Sequence, residues 1–207
     1  MLLIALLVIT SCTSSASDEA GKDNADSSAQ LAKPTVTPPA DAFSDLRDEA
    51  RLATRVGDPR PPTYWALWNT CAEENRAETA EANGGRAAGW FLMDDLLENP
   101  GIQVGELPVA SCEVGLAILE DIPGSGDETR TAILNLASAL LAAELNLNVG
   151  AETCPIAEEA LVGSHLVLSE VGFEGSDLKT EISSEVASAV PRLLELLEGY
   201  NSGQLCR

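Results

Sequence analysis

Five cysteines, one histidine and a few closely spaced carboxylates are the residues of this protein whose types could do chemistry. Nucleophilic catalysis needs Ser or Cys beside a His that an acid orients, and the one histidine, His165, directly follows Ser164. Neighbours on a helix diverge by about 100 degrees, so Ser164 and His165 cannot work as nucleophile and base. His165 shares its helical face with Glu158, Val162 and Ser169 and reads as a surface or boundary residue. The carboxylates Asp94, Asp95 and Glu98, with Glu106 further on, could hold calcium or hydrolyse a glycoside. No Asp-x-Asp-x-Asp-Gly loop accompanies them, and acidic pairs are ordinary on solvated helix faces. No Gly-rich phosphate cradle follows a strand. No catalytic residue, metal or cofactor is therefore assigned.

The cysteines read differently. Residues 1–11 are an apolar run too short to span a bilayer, followed by Cys12 and a polar stretch, which is the order of a signal peptide. No Lys or Arg precedes the run, where a signal peptide carries its positive end. Ile9-Thr10-Ser11-Cys12 resembles a lipobox, in which an aliphatic and two small residues precede a cysteine that becomes the lipid-bearing N-terminus. Cys12 is expected to carry lipid, and the bilayer is then a partner through that lipid. Four cysteines remain: Cys71, Cys112, Cys154 and Cys206. An even set in an exported protein reads as two disulfides. Thiolate zinc sites need close Cys pairs or several histidines, and neither occurs.

All three tryptophans, Trp65, Trp68 and Trp90, fall together with Tyr64 and Phe91. Exposed aromatics of this kind bind sugars or partner proteins, whereas aromatics in a core of Leu and Ala are its anchors. Tyr64, Trp65, Trp68 and Trp90 are kept as candidate binding residues, with core anchoring the heavier alternative.

The elements that must position these residues follow from periodicity and punctuation. Residues 12–40, rich in Ser, Ala, Asp, Thr and Pro, read as a disordered tether with a root-mean-square span of roughly 30 Å. Phe43, Leu46, Ala50 and Ala53 repeat at helical spacing, so residues 41–60 read as a short amphipathic helix and a Pro-rich linker, and the domain occupies 61–207. Thr63 is expected to cap a helix carrying Tyr64, Trp65, Trp68 and Cys71. A short helix or turn over 89–98 and an extended piece over 102–109 come next, and Ser111 caps a helix from Cys112 to about Glu120.

The longest element, from about Glu128 to Val149, carries Leu, Ile and Ala around more than half its circumference and reads as the central core helix. Asn135, Glu144, Asn146 and Asn148 exclude a membrane span there. Thr153 is expected to cap a helix reaching Gly172, and a last helix from about Thr180 to Gly199 contains Pro191, which should kink or split it. The fold class is all-α, a disulfide-clamped bundle with an irregular, aromatic-rich N-terminal part. Four cysteines allow three pairings, which sequence alone leaves open. Two C-terminal helices of similar length, roughly 25 to 30 Å, joined by a short turn, favour antiparallel packing, which returns Cys206 to Cys154 and leaves Cys71 for Cys112.

The charge bounds the partners. The protein has a formal charge of −21, and residues 61–207 alone hold 24 acids against 6 bases, near −18. Such a surface repels phosphate backbones and anionic headgroups, so nucleic acid is excluded as a partner. Solubility is the simplest reason for so acidic a surface.

The domain resembles an uncharacterised helical, four-cysteine module of secreted and surface bacterial proteins. That family opens with a Gly-Phe-Trp-Lys-Asn-Trp segment before a cysteine, matched by Thr63, Tyr64, Trp65, Ala66, Leu67, Trp68 and Cys71. The family's Gly, Lys and Asn are replaced by Thr63, Ala66 and Leu67. Leu107 to Glu113 looks like its second cysteine segment, and Leu141-Ala142-Ala143-Glu144-Leu145-Asn146 resembles its Leu-Ala-Ala-Lys-Leu-Asn helix. Gly150, Ala151, Cys154 and the ending Tyr200 to Cys206 follow in register. The resemblance implies secretion and this domain boundary, and it implies no activity. The expectation is an envelope-displayed, non-enzymatic module that binds a protein or glycan or contributes to surface assembly. A carboxylate-dependent hydrolase of an envelope polymer is the alternative.

Overall fold

A computed structural model describes residues 57–72, 75–97, 101–120 and 127–206. The signal peptide, Cys12, the tether, the helix expected over 41–56 and Glu98 lie outside the described residues. Within them the fold is helical. The elements are α1 (Pro62–Leu67), α2 (Arg76–Ala82), a 3-10 turn (Gly85–Ala88), α3 (Met93–Leu97), β1 (Gln103–Val104), β2 (Leu107–Pro108), α4 (Cys112–Leu119), α5 (Glu128–Asn148), α6 (Pro155–Glu170) and α7 (Ser184–Asn201). No helix among the described residues is long and apolar enough to cross a membrane.

Helix α5 is the centre because its sequence is apolar on nearly all sides. Ile133, Leu136, Leu140, Leu141 and Leu145 are completely buried, each contributing roughly 1.5–3 kcal/mol of transfer free energy. Its first turn is closed by Asp127, whose carboxylate accepts from Thr129 N–H (2.9 Å) and Arg130 N–H (3.2 Å). Gly150 ends it with φ +85, a left-handed conformation that costs a glycine nothing. Helices α4, α6 and α7 and the short α1 and α3 all pack on α5.

The C-terminal hairpin forms as its stripes require. Val186, Val190, Leu197 and Tyr200 of α7 and Ala157, Ala160, Leu161 and Leu168 of α6 are buried, and the two helices pack on each other and on α5. The two helices approach closely at Gly163, where a Cβ would stand 2.9 Å from Leu193 Cδ2. Disulfides join Cys154 to Cys206 and Cys71 to Cys112, with Cα separations of 5.4 and 6.0 Å, the pairing that antiparallel packing predicts.

Several local expectations are corrected. Pro62 at the first helical position opens α1, Thr63 lies inside it, and no N-cap side chain accepts from its first N–H groups. That helix ends at Leu67, well before Cys71, because buried Asn69 turns the backbone: its amide donates to Ala66 O (2.7 Å) and its oxygen accepts from Ala72 N–H (2.9 Å). Helix α2 is therefore a separate element. Cys154, not Thr153, occupies the N-cap of α6, and Thr153 bonds the Glu158 carboxylate (2.7 Å). Ser183 caps α7, and the helix runs through Pro191 unsplit. Pro191 is exposed, so the helix turn it disrupts faces water. The extended piece over 102–109 is a hairpin in which Gln103 pairs with Pro108 and Val104 with Leu107. Gly105, at φ +63, makes its turn, and a Cβ there would stand 3.0 Å from the Leu168 backbone.

Candidate functional site

Tyr64, Trp65 and Trp68 are core residues, at 3%, 0% and 1% exposure, and cannot form a binding platform. Tyr64 and Trp65 lie in α1 and Trp68 is its C-cap; the Trp65 indole reaches Asn146 of α5, and Tyr64 donates to Phe91 O (3.2 Å). Trp90 is partly buried, with its ring edge against Trp68 (centroids 4.8 Å apart). The cluster is also already filled. Arg60, 2% exposed, places its guanidinium 4.9 Å from the Phe91 centroid, 5.1 Å from Tyr64 and 5.8 Å from Trp65. It donates to Gly89 O (2.8 Å) and Asp58 O (3.1 Å), so carbonyl dipoles and ring faces, with the Asp58 charge nearby, hold the guanidinium. Burial pushes the Arg60 pKa down and the Tyr64 pKa up, and their mutual proximity opposes both shifts.

Beneath this cage Asn146 uses all its hydrogen-bonding capacity. Its oxygen accepts from Arg60 N–H (2.8 Å) and Trp65 Nε1–H (3.3 Å), and its amide donates to Arg60 O (2.8 Å) and Asn201 Oδ1 (2.9 Å). Asn201 in turn donates to Ala139 O (2.8 Å). This series of amides ties the entering segment, α5 and α7 together. In the sequence Asn146 is an interruption of an apolar run and the last residue of the Leu-Ala-Ala-Glu-Leu-Asn resemblance, and an amide amid so many aliphatic residues is the signal that could have marked it.

The remaining reactive groups are dispersed. Asp94 is engaged by Thr70, accepting from its backbone N–H (3.0 Å) and from its hydroxyl. Asp95 and Glu106 are exposed. Ser164 donates to Ala160 O (2.7 Å) and His165 bonds Glu144 across to α5 (2.9 Å), so the two point apart as helical geometry requires. Glu144 also acts on Tyr200: burial first, and then this negative charge, push the Tyr200 pKa up to about 12. Its hydroxyl is buried without a hydrogen-bond partner among the described residues. Among the described residues no group of three His, Cys, Asp or Glu side chains could hold a metal.

A groove of about 640 Å³ with a mixed apolar and polar lining opens among the described residues. It lies on the side of α1 opposite the aromatics. Ala66, Leu67, Ile118 and Leu134 supply apolar surface, and Thr63, Glu120, Asn135 and Ser138 supply polar groups. In the sequence Thr63 reads as a cap, Glu120 as a helix end and Asn135 as an interruption of an apolar run, and no local signal joins them to one another or to Ser138. Among the described residues the exposed large apolar side chains, Ile156, Val162 and Leu166, all lie on α6 and none lines the groove. Comparison with family models, curated proteins and solved structures finds no match to this protein.

Proposed function

We propose that this protein is a lipoprotein of the bacterial cell envelope: Cys12 carries the lipid, residues 13–40 form the tether, and the acidic helical domain works by binding a protein or glycan rather than by turnover. The observation that carries this reading is the pair of disulfides, Cys71–Cys112 and Cys154–Cys206, clamping the domain behind a lipobox-like tetrad. Such bonds persist in extracytoplasmic, oxidising compartments. The resemblance to a secreted four-cysteine module points the same way. Binding is favoured over hydrolysis because Asp94 is spent on Thr70 and Ser164 and His165 each bond elsewhere.

Detergent phase partitioning of the expressed protein tests the anchor. Wild type should enter the detergent phase and Cys12→Ser should be released as soluble protein. Wild type recovered wholly in the aqueous phase defeats the lipoprotein reading, and turnover of an envelope polymer that Asp95→Asn abolishes would defeat the non-enzymatic one.

A further inference from the structure

We infer that the groove between α1, α4 and α5 docks a short extended peptide segment of a partner protein, one with an aliphatic side chain next to a Lys or Arg. The inference rests on the proposed binding role and names its site and ligand class.

One helix with two faces creates the groove. Positions 64, 65 and 68 of α1 and its C-cap build the core, whereas Thr63, Ala66 and Leu67 look out toward Leu134, Asn135 and Ser138 of α5. The C-terminal end of α4, Ile118 to Glu120, closes one side. The result is apolar below and polar at the rim. The side chains of Thr63, Asn135 and Ser138 make no hydrogen bond to any described residue, and Glu120 forms no ion pair with one. Polar side chains at the accessible rim of an apolar recess are what a ligand site presents.

Three features select a peptide. An asparagine amide offers a donor and an acceptor together, which matches a backbone carbonyl and N–H, and the hydroxyls of Thr63 and Ser138 serve either role. Asn135 and Ser138 stand at i and i+3, about 5–6 Å apart, near the ~6.6 Å between same-side groups of an extended peptide. The lining holds no aromatic ring on which a sugar could stack, because Tyr64, Trp65 and Trp68 face the other way.

The charge selects the flank. Glu120 sits where α4 ends, so its carboxylate adds to the negative pole of that helix. The domain's excess of 24 acids over 6 bases steers cations toward it and turns acidic segments away.

Amide chemical-shift mapping on the isotope-labelled, disulfide-intact protein tests the site with three probes: the capped tetrapeptide Lys-Leu-Lys-Leu, its Glu-for-Lys counterpart, and an N-acetylglucosamine tetramer. The basic peptide should shift the Asn135 side-chain amide and the backbone amides of Ala66, Leu67 and Ser138 saturably, and the acidic peptide should not. Asn135→Ala, at an exposed position that spares the fold, should weaken binding about fivefold, one hydrogen bond's worth. Glu120→Gln should weaken it and flatten its salt dependence, and Ser138→Trp should plug the groove. Shifts scattered over the acidic surface and indifferent to Asn135→Ala and Ser138→Trp would overturn the site. Groove shifts with the tetrasaccharide alone would overturn the ligand class and leave the binding role standing. Silence of all three probes at the groove would overturn the inference, while the detergent partitioning of Cys12 decides the envelope reading separately.

Discussion

Replacing Asn146 with Ala removes four hydrogen bonds from a site with no access to water: two to the Arg60 backbone, one to the Trp65 indole and one to the Asn201 amide. At about 1 kcal/mol net for each bond, with the 3.3 Å indole contact the weakest, the loss is about 4 kcal/mol. Alanine's better helix propensity returns at most about 0.7 kcal/mol. A net cost of about 3–4 kcal/mol is a large part of the 5–15 kcal/mol typical of a domain. It should lower the melting temperature by about 6–16 °C, at 2–4 °C per kcal/mol for this size. Urea unfolding of the oxidised protein measures it, with Asn135→Ala as control. Asn135 sits on the same helix, exposed and without a hydrogen bond to any described residue, and its replacement should change stability by less than about 0.5 kcal/mol. Because Asn146 pins the entering segment, native-state exchange of the Arg60 amide should accelerate more than that of the α6 amides. A cost below about 1 kcal/mol, or equal costs for the two asparagines, would refute the claim that this amide joins the entering segment to the bundle.

Tyr200→Phe tests the buried hydroxyl: the folded pKa, about 12, exceeds the ordinary value of 10, so the native state keeps a proton that the unfolded state releases. Stability from this group is complete below pH 10 and falls as pH rises toward 12, by roughly 2–3 kcal/mol, and Tyr200→Phe should remove that part of the fall, read from urea midpoints across the range. An unchanged alkaline slope in the variant would disprove it. Reduction should remove roughly 3–4 kcal/mol of loop-closure stabilisation at each bridge. It should loosen the short elements between Cys71 and Cys112 before α5 to α7, so tryptophan fluorescence changes ahead of helical circular dichroism; simultaneous loss of both signals would refute that order.

The long elements were legible because their information is local. The apolar circumference of α5, the Ser111 cap of α4, Pro155 opening α6 and Gly150 closing α5 each rest on residues within a turn or two of one another. The disulfide pairing followed once two helices of similar length had to lie antiparallel. The short elements between residues 62 and 97 were not legible. Five to seven residues carry too little periodicity to set an end, and a single buried residue, Asn69, breaks the helix that pattern alone would continue to Cys71.

The limit is plainest in two asparagines. Asn135 and Asn146 lie about three turns apart on α5, on nearly the same face, and periodicity treats them alike. Yet Asn135 is exposed at a groove and Asn146 is fully buried. Local pattern suffices for a long apolar helix and for the helical, disulfide-clamped domain that assembles on it. That the segment at Arg60, 86 residues before Asn146, crosses the helix there while Asn135 stays exposed is a tertiary outcome. A helix period records which residues share a face, and it carries no information about which distant segment arrives to cover that face or where along it the cover stops.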